Sequence, residues 1–471
     1  MNRRSFIQQA GYLGGSLALG LYGLRAGAVS PAKIVRGKVS SNGKGLAGVA
    51  VSDGFSIVQT DDKGAYSITP DAKASHVFIS VPAGYDFPSQ QDIVHHYQPL
   101  DAAVEADFTL KKLAQNDDHH HFLVWADPQV KNEEDVAEMM NSSVPDAQKL
   151  LAGYPDDALI HGIGVGDLVW DNHDLFKNYN AAVAQMGIPF FQCLGNHDMD
   201  YREGGDETSD HTFSKWYGPT YFSFNRGKAH YIVLDDVRYL GEDRKYDGYI
   251  QPHILAWIEK DLKLVPKDAL MIIGLHIPVH NSVKNNGELY ALLRGFRNVH
   301  ILSGHTHFNK NVITDNVFEH NHGAVCGAWW TGPICSDGTP RGYGVYEVNG
   351  TDLKWYYKST GLDKKVQLNI HVDTLTRQKR LLVNVWNWDP QWKIEYTVDG
   401  KAMGAPEQQQ GYDPQAVKLY KGDDMPKKRN FVEPSETDHL FIAHLKADVK
   451  RVDVKVTDRF GNVYTADWSQ G

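Results

Sequence analysis

The chain has 471 residues, too many for one ordinary hydrophobic core, so about two to four domains are expected. Hydrophobic residues make up 42% and charged residues 23%, the proportions of a globular protein. The formal net charge of -10 speaks against a general nucleic-acid binder, which needs a basic face to neutralise phosphates, and leaves room only for a local basic pocket.

Asn2-Arg3-Arg4-Ser5-Phe6-Ile7-Gln8 carries a twin arginine ahead of the apolar, glycine-rich run from Ala10 to Leu24. Ala26-Gly27-Ala28 then supplies the small residues of a cleavage site. Together they read as a twin-arginine signal peptide over residues 1–28, with a periplasmic or otherwise exported mature protein. The apolar run is short and broken by glycines, so cleavage is favoured over a membrane anchor. No cysteine stands at the cleavage point, so lipid anchoring is not indicated. No later segment is apolar enough to span a bilayer.

Residues 31–113 read as short strands punctuated by Gly, Asn and Asp turns, the rhythm of a small β-sandwich. The runs Val49-Ala50-Val51-Ser52-Asp53-Gly54 and Thr60-Asp61-Asp62-Lys63-Gly64-Ala65-Tyr66 resemble the carboxypeptidase-regulatory or transthyretin-like module. Ala114 to His121 reads as a polar linker. His119-His120-His121 precedes its strand and is therefore read as solvated linker rather than as a metal site. Over residues 118–357 helical stretches alternate with short apolar strands, which predicts an α/β layer architecture. From residue 360 to 471 the helical periods vanish and strands of a second β domain are expected. Of the three cysteines, Cys326 and Cys335 are able to pair in an oxidising compartment, leaving Cys193 free; three buried thiols are the equal alternative.

Five motifs in the α/β region each follow an apolar strand. They are Ala126-Asp127-Pro128-Gln129, Gly166-Asp167-Leu168-Val169-Trp170-Asp171, Gly195-Asn196-His197-Asp198, Gly274-Leu275-His276 and Gly304-His305-Thr306-His307. Ligands of an α/β sheet bind beyond the carboxyl ends of its strands, so all five are delivered to one edge. Asp, Asn, Gln and His offer oxygen and imidazole donors that suit zinc, iron or manganese. A carboxylate between two divalent ions bridges them, and such a pair polarises a phosphoryl oxygen and lowers the pKa of a bridging water toward about 7. The glycines beside Asp167, Asn196 and His305 are expected to let the backbone turn sharply.

The five motifs in this order resemble the calcineurin-like metallophosphoesterase superfamily, over about Phe122 to Gly350. The resemblance implies a four-layer α-β-β-α sandwich, here flanked by an N-terminal and a C-terminal β domain. It implies that Asp127, Gln129, Asp167 and His307 hold one divalent ion, and Asp167, Asn196, His276 and His305 a second. Mn, Fe, Zn and Mg all come into question. It places His197 outside the metal shell, assisting the leaving oxygen or the phosphoryl group, with Asp198 orienting it. His276 ends its strand directly and is preferred as ligand over His280. Two departures stand out: Gln129 replaces a frequent His, and Asp171, counted with His197 and Asp198 in the catalytic set, lies four residues after Asp167, one further than in the phosphoprotein-phosphatase branch, which puts its reach to His197 in question. The segments around Trp329, Trp330, Arg341 and Tyr343 resemble exported bacterial members with the same three-part layout, and are expected to bind substrate by stacking and by an Arg clamp on phosphate.

The implied function is hydrolysis of a phosphomonoester or phosphodiester by a metal-bound hydroxide. The alternative is a glycan- or partner-binding protein with a vestigial metal site. A protease or metallo-β-lactamase reading lacks its ligand runs. Replacing Arg3 and Arg4 by Lys is expected to hold the protein in the cytoplasm. Cell fractionation checks this, and unchanged periplasmic delivery would reject the twin-arginine reading.

Overall fold

A run such as Leu270-Met271-Ile272-Ile273 has no polar side to leave in water, so it forms a strand buried on both faces. The computed structural model describes residues 34–100, 105–374 and 378–470. The expected signal peptide at 1–28 lies outside these residues. The strands that build the central region are, in chain order, β1 (His119–Trp125), β2 (Ile160–Val165), β3 (Phe190–Cys193), β4 (Phe222–Arg226), β5 (Ala229–Val233), β6 (Leu270–Gly274), β7 (Asn298–Ser303), β8 (Lys310–Thr314), β9 (Val317–Asn321), β10 (Gly342–Asn349) and β11 (Asp352–Ser359). One sheet runs β11-β10-β1-β2-β3, the other β4-β5-β6-β7-β9-β8.

The pairings β1/β2, β2/β3, β5/β6 and β6/β7 are parallel. Trp125 lies opposite Gly164, Val165 opposite Cys193, and Gly274 opposite Leu302. The carboxyl ends of these strands are therefore level within each sheet. The sheets meet through an aromatic layer in which Phe191 and Phe224 stack at 3.7 Å, with Phe122 edge-on to Tyr231. The helices are α1 (Glu133–Asn141), α2 (Ser143–Leu151), α3 (Phe176–Met186), α4 (Pro252–Asp261) and α5 (Asn286–Leu293). Tyr179 of α3 donates to Gln192 of β3, and Asp261 of α4 meets His230 of β5 at 2.7 Å. Each sheet thus carries helices, giving an α/β sandwich flanked by β domains.

The N-terminal strands form two small sheets, and one of its segments extends the first central sheet: Ile93 pairs with Phe190 of β3. Trp257 of α4 donates to Ser52 Oγ at 2.9 Å and Tyr221 to the Gly54 carbonyl at 2.8 Å. A single hydrophobic core runs through both parts. The C-terminal part has two four-stranded sheets and its own core around Leu381, Val383, Val452 and Val454.

Two expectations need correction here, and one left open is decided. His119 to His121 are not linker but the first residues of β1, and His120 is buried, bonded to the Asp117 carbonyl and to the Tyr231 hydroxyl. Residues after 360 are not all strand: Pro414–Tyr420 is a helix, capped by Asp413, whose carboxylate accepts the Gln415 and Ala416 N–H groups. Seven residues are too few for a helical period to stand out. Cys193, Cys326 and Cys335 are all free and buried, so the alternative of three buried thiols holds.

Asp146 of α2 gathers the ammonium of Lys358, the Tyr343 hydroxyl and the Gly361 N–H. Both charged side chains are only 9% exposed. Asp146→Ala leaves the Lys358 charge buried without its partner, which is expected to cost about 3–5 kcal/mol in a denaturant-unfolding measurement.

Candidate active site

Asp127 follows β1, Asp167 follows β2, Asn196 follows β3, His276 follows β6, and His305 and His307 follow β7. Level strand ends bring them together as the register requires. Asp127, Gln129, Asp167, Asn196, His276 and His307 are buried. One ligand atom each from Asp167, His276 and His305 lies within 4.8 Å of the others. His276 Nε2 stands 3.3 Å from Asp167 Oδ1, 3.1 Å from Asn196 Oδ1 and 3.2 Å from His305 Nδ1. On the other side, Gln129 Nε2 donates to Asp167 Oδ2 at 2.9 Å, and His307 Nε2 lies 3.5 Å from Asp127 Oδ1. His280 is not among them; its ring and N–H are engaged by Glu319.

The imidazoles are pre-set as donors of lone pairs. His276 Nδ1 donates to the Val165 carbonyl at 2.9 Å and His307 Nδ1 to the Gly327 carbonyl at 2.8 Å. Each bond turns the Nε2 lone pair inward. An Asn196 carbonyl oxygen facing such a nitrogen repels it unless a positive charge stands nearby. The amide oxygen of Gln129 is buried without a hydrogen-bond partner. Buried polar atoms seldom stay unpaired, so this oxygen fits a cation ligand. The donor set therefore suits divalent ions.

The electrostatics of the site agree. Burial pushes the Asp127 carboxyl up to about 8. Burial pulls His276 down, but the Asp167 and Asp127 carboxylates outweigh it and hold the imidazole at about 10. Burial brings His305 down to about 3 and His307 to about 4. The carboxylates thus collect positive charge, as protons when nothing else supplies it.

The backbone is bent to deliver these groups. Asp127, Gln129, Asp167, Asp171, His305 and His307 all have φ between 41° and 71°, an unfavourable region for residues with a Cβ. The turns are therefore made by the ligand residues more than by their glycines, which corrects the expected role of the latter. Gly166 does turn left-handed, at φ 87°. Gly195 and Gly304 instead provide space: a Cβ on either would lie 2.3 Å from Asp167 Oδ1 or 2.5 Å from Asp127 Oδ2.

Asp171 reaches His197 in spite of the longer spacing, with Nδ1 to Oδ1 at 2.8 Å, and its other oxygen pairs with Arg244 at 2.9 Å. Burial lowers His197, but Asp167 and Asp171 raise it above the ordinary imidazole value. Asp198 does not orient the His197 ring. Its buried carboxylate accepts the N–H groups of Leu168, Val169 and Gly195, clamping the second motif to the third. Asp236 does the same for the fourth motif, accepting the His276 and Ile277 N–H groups. Its position just after β5 follows the strand-end pattern, which is the signal by which the sequence marks it.

Of the expected substrate residues, Trp329 stacks on His307 at 4.1 Å. The other three are occupied elsewhere. Trp330 is buried and donates to the Pro128 carbonyl, Arg341 pairs with Glu138 of α1, and Tyr343 is buried against Asp146. Sequence reasoning missed the aromatic rim: Trp170 lies edge-on to His197 at 5.7 Å, and Phe431, from the C-terminal part, bridges Trp170 and Trp329. Phe431 is 54% exposed. It stands far away in sequence, in a stretch with no motif.

Models of the N-terminal, catalytic and C-terminal parts of calcineurin-like phosphoesterases match residues 33–113, 118–309 and 319–464. The chain belongs to the calcineurin-like phosphoesterase family. As a member it is a metal-dependent phosphoester hydrolase. Among solved structures, a dimetal phosphatase from Danio rerio is similar at 12% identity, over 51% of this chain and 97% of its own, with a TM-score of 0.37. PhoD is 11% identical over 76% of this chain and 85% of its own, with a TM-score of 0.38. A purple acid phosphatase from yellow lupin (Lupinus luteus) seeds is 11% identical over 79% and 68%, with a TM-score of 0.34. No curated protein matches significantly. Among the described residues, no helix is long and apolar enough to cross a membrane.

His197 follows Asn196 directly in sequence, and Asp171 holds its ring at 2.8 Å. A general acid contributes about 10²–10⁴-fold in rate. His197→Ala is expected to keep its metal content and lose turnover on that scale, less so for esters with good leaving groups. Elemental analysis beside steady-state kinetics checks this, and metal loss would place His197 among the ligands instead.

Proposed function

We propose that this phosphoesterase is an exported enzyme with a dinuclear metal centre that hydrolyses a phosphomonoester or phosphodiester. The observation that carries the reading is the position of Asp167. Its Oδ1 faces His276 and its Oδ2 faces Gln129, so one buried carboxylate stands between two groups of donors. Asp127, Gln129, Asp167 and His307 would hold one ion, and Asp167, Asn196, His276 and His305 the other. Mn, Fe, Zn and Mg are the ions such nitrogen and oxygen donors accommodate. Bound there, a divalent pair supplies the Lewis acidity that polarises a phosphoryl oxygen and makes water a nucleophile near neutral pH.

The chain's own groups supply the rest. His197, oriented by Asp171, holds a proton where the leaving oxygen departs. Arg244, exposed at the rim and paired with Asp171, brings positive charge toward an anionic substrate on a chain that is negative as a whole. Trp170, Trp329 and Phe431 offer flat apolar surface for the organic part of the ester. Export rests on the twin-arginine pattern at Arg3 and Arg4. The alternative of a vestigial site that serves a binding protein has less support. The donor set is complete apart from the Gln129 substitution, and six residues of the site are held in the left-handed region, which favours a working centre.

The test uses p-nitrophenyl phosphate and its bis ester with manganese. Asp167→Asn is expected to lose one or both ions and nearly all turnover, because the shared carboxylate neutralises two cations. Full activity with two bound ions per chain would overturn the assignment.

A further inference from the structure

The far end of β1 carries a second group of metal-competent side chains. His119 and His121 are two residues apart on one strand and so project from the same face. Glu347 of β10 lies directly opposite His121 in the antiparallel register, so its side chain shares that face. His119 Nε2 stands 3.1 Å from Glu347 Oε1, and the His119 and His121 rings are 5.0 Å apart. One ligand atom from each of the three lies within 4.8 Å of the others. Tyr154 packs against the His121 ring at 4.6 Å and fixes it, while His121 Nδ1 is buried without a hydrogen-bond partner.

We propose that His119, His121 and Glu347 form a separate binding site for a divalent transition-metal ion such as zinc. Two imidazoles and one carboxylate make a donor set that zinc accepts, with a position left open to water or to another molecule. Two neighbouring strands of one sheet carry all three ligands, so the scaffold is rigid and only side-chain rotations are needed to close the site. The set is solvent-accessible at His119 and Glu347, which gives an ion a way in. It lies at the opposite end of β1 from Asp127, roughly 20 Å along the strand at about 3.3 Å per residue. It therefore does not draw on the catalytic ligands and does not depend on the phosphoesterase reading. An ion here ties β1 to β10. Lys354, in register with Glu347 on β11, is the neighbouring positive charge that opposes it.

The test compares untagged full-length protein with its His119→Ala/His121→Ala variant, each also in the Asp167→Asn background. Each is equilibrated with zinc, freed of loose metal by gel filtration and measured for bound zinc. The histidine variant is expected to hold one zinc equivalent less than its parent in both backgrounds, and added zinc is expected to raise the melting temperature of Asp167→Asn more than that of the variant carrying all three changes. Glu347→Gln, which keeps side-chain size, is expected to weaken the same equivalent at least tenfold and covers the case in which the histidine variant does not fold. Equal zinc content with and without the histidines would overturn the proposal. So would a loss of p-nitrophenyl phosphate turnover in the histidine variant, since the two sites would then not be separate. Failure of the dinuclear reading appears elsewhere, as unchanged metal content on Asp167→Asn.

Discussion

Everything at the active edge is arranged around one buried carboxylate. Asp167 lies where the two sheets meet, 1% exposed, and it receives the His197 N–H, the Gln129 amide and the neighbouring His276 ring. Burial alone would raise its pKa, but His276 and His197 hold it below the ordinary carboxylate range. A negative charge in such a place is tolerable only with positive charge close by. The ligand loops supply it, and they in turn are fixed by acids that contact only backbone. Asp198 clamps the loops after β2 and β3, and Asp236 clamps the turn after β6. The site is thus a set of strained turns held by buried hydrogen bonds rather than by packing.

Much of this was legible in the sequence, for a definite reason. Buried parallel strands read as short apolar runs, and polar residues that follow such runs must sit at the strand ends. That placed Asp127, Asp167, Asn196, His276, His305 and His307 on one edge without any structure. What failed was reasoning from adjacency. Asp198 follows His197 directly, yet the two point apart and Asp198 binds N–H groups three and about thirty residues away in sequence. Asp171, which seemed one residue too far, reaches His197 because its own left-handed conformation at φ 54° turns the chain back. Arg341 and Tyr343 have the chemistry of phosphate and ring binders, but α1 and α2 present Glu138 and Asp146 to them, and no local pattern reveals such partners.

The outer parts take different roles. The N-terminal part shares a core with the sandwich and extends its sheet through Ile93. The C-terminal part keeps its own core and reaches in by specific contacts. Arg429 pairs with Asp135 at the start of α1 and also donates to the Trp329 carbonyl. Asp337 receives the Asn309 N–H at 2.9 Å and faces His439 Nε2 at 3.1 Å. Asn309 is two residues from His307, so the C-terminal part helps to hold the loop after β7.

That arrangement bears on how specificity is set in this enzyme. The ligand loops are over-determined: each is strained, buried and clamped, so little variation there is compatible with the centre. The rim is not. Trp170 is held by Lys131 at 4.3 Å and Arg429 at 5.2 Å over its ring, and Phe431, itself 54% exposed, approaches it from the C-terminal part. Cation–π contacts of this kind are worth about 0.5–1 kcal/mol at exposed sites, enough to orient a ring but not to lock it. On the proposed reading, the segment around Phe431 would face the organic part of the ester, while the chemistry would rest with the strand ends. The division lets one part of the chain adapt without disturbing the buried charge on which the other depends.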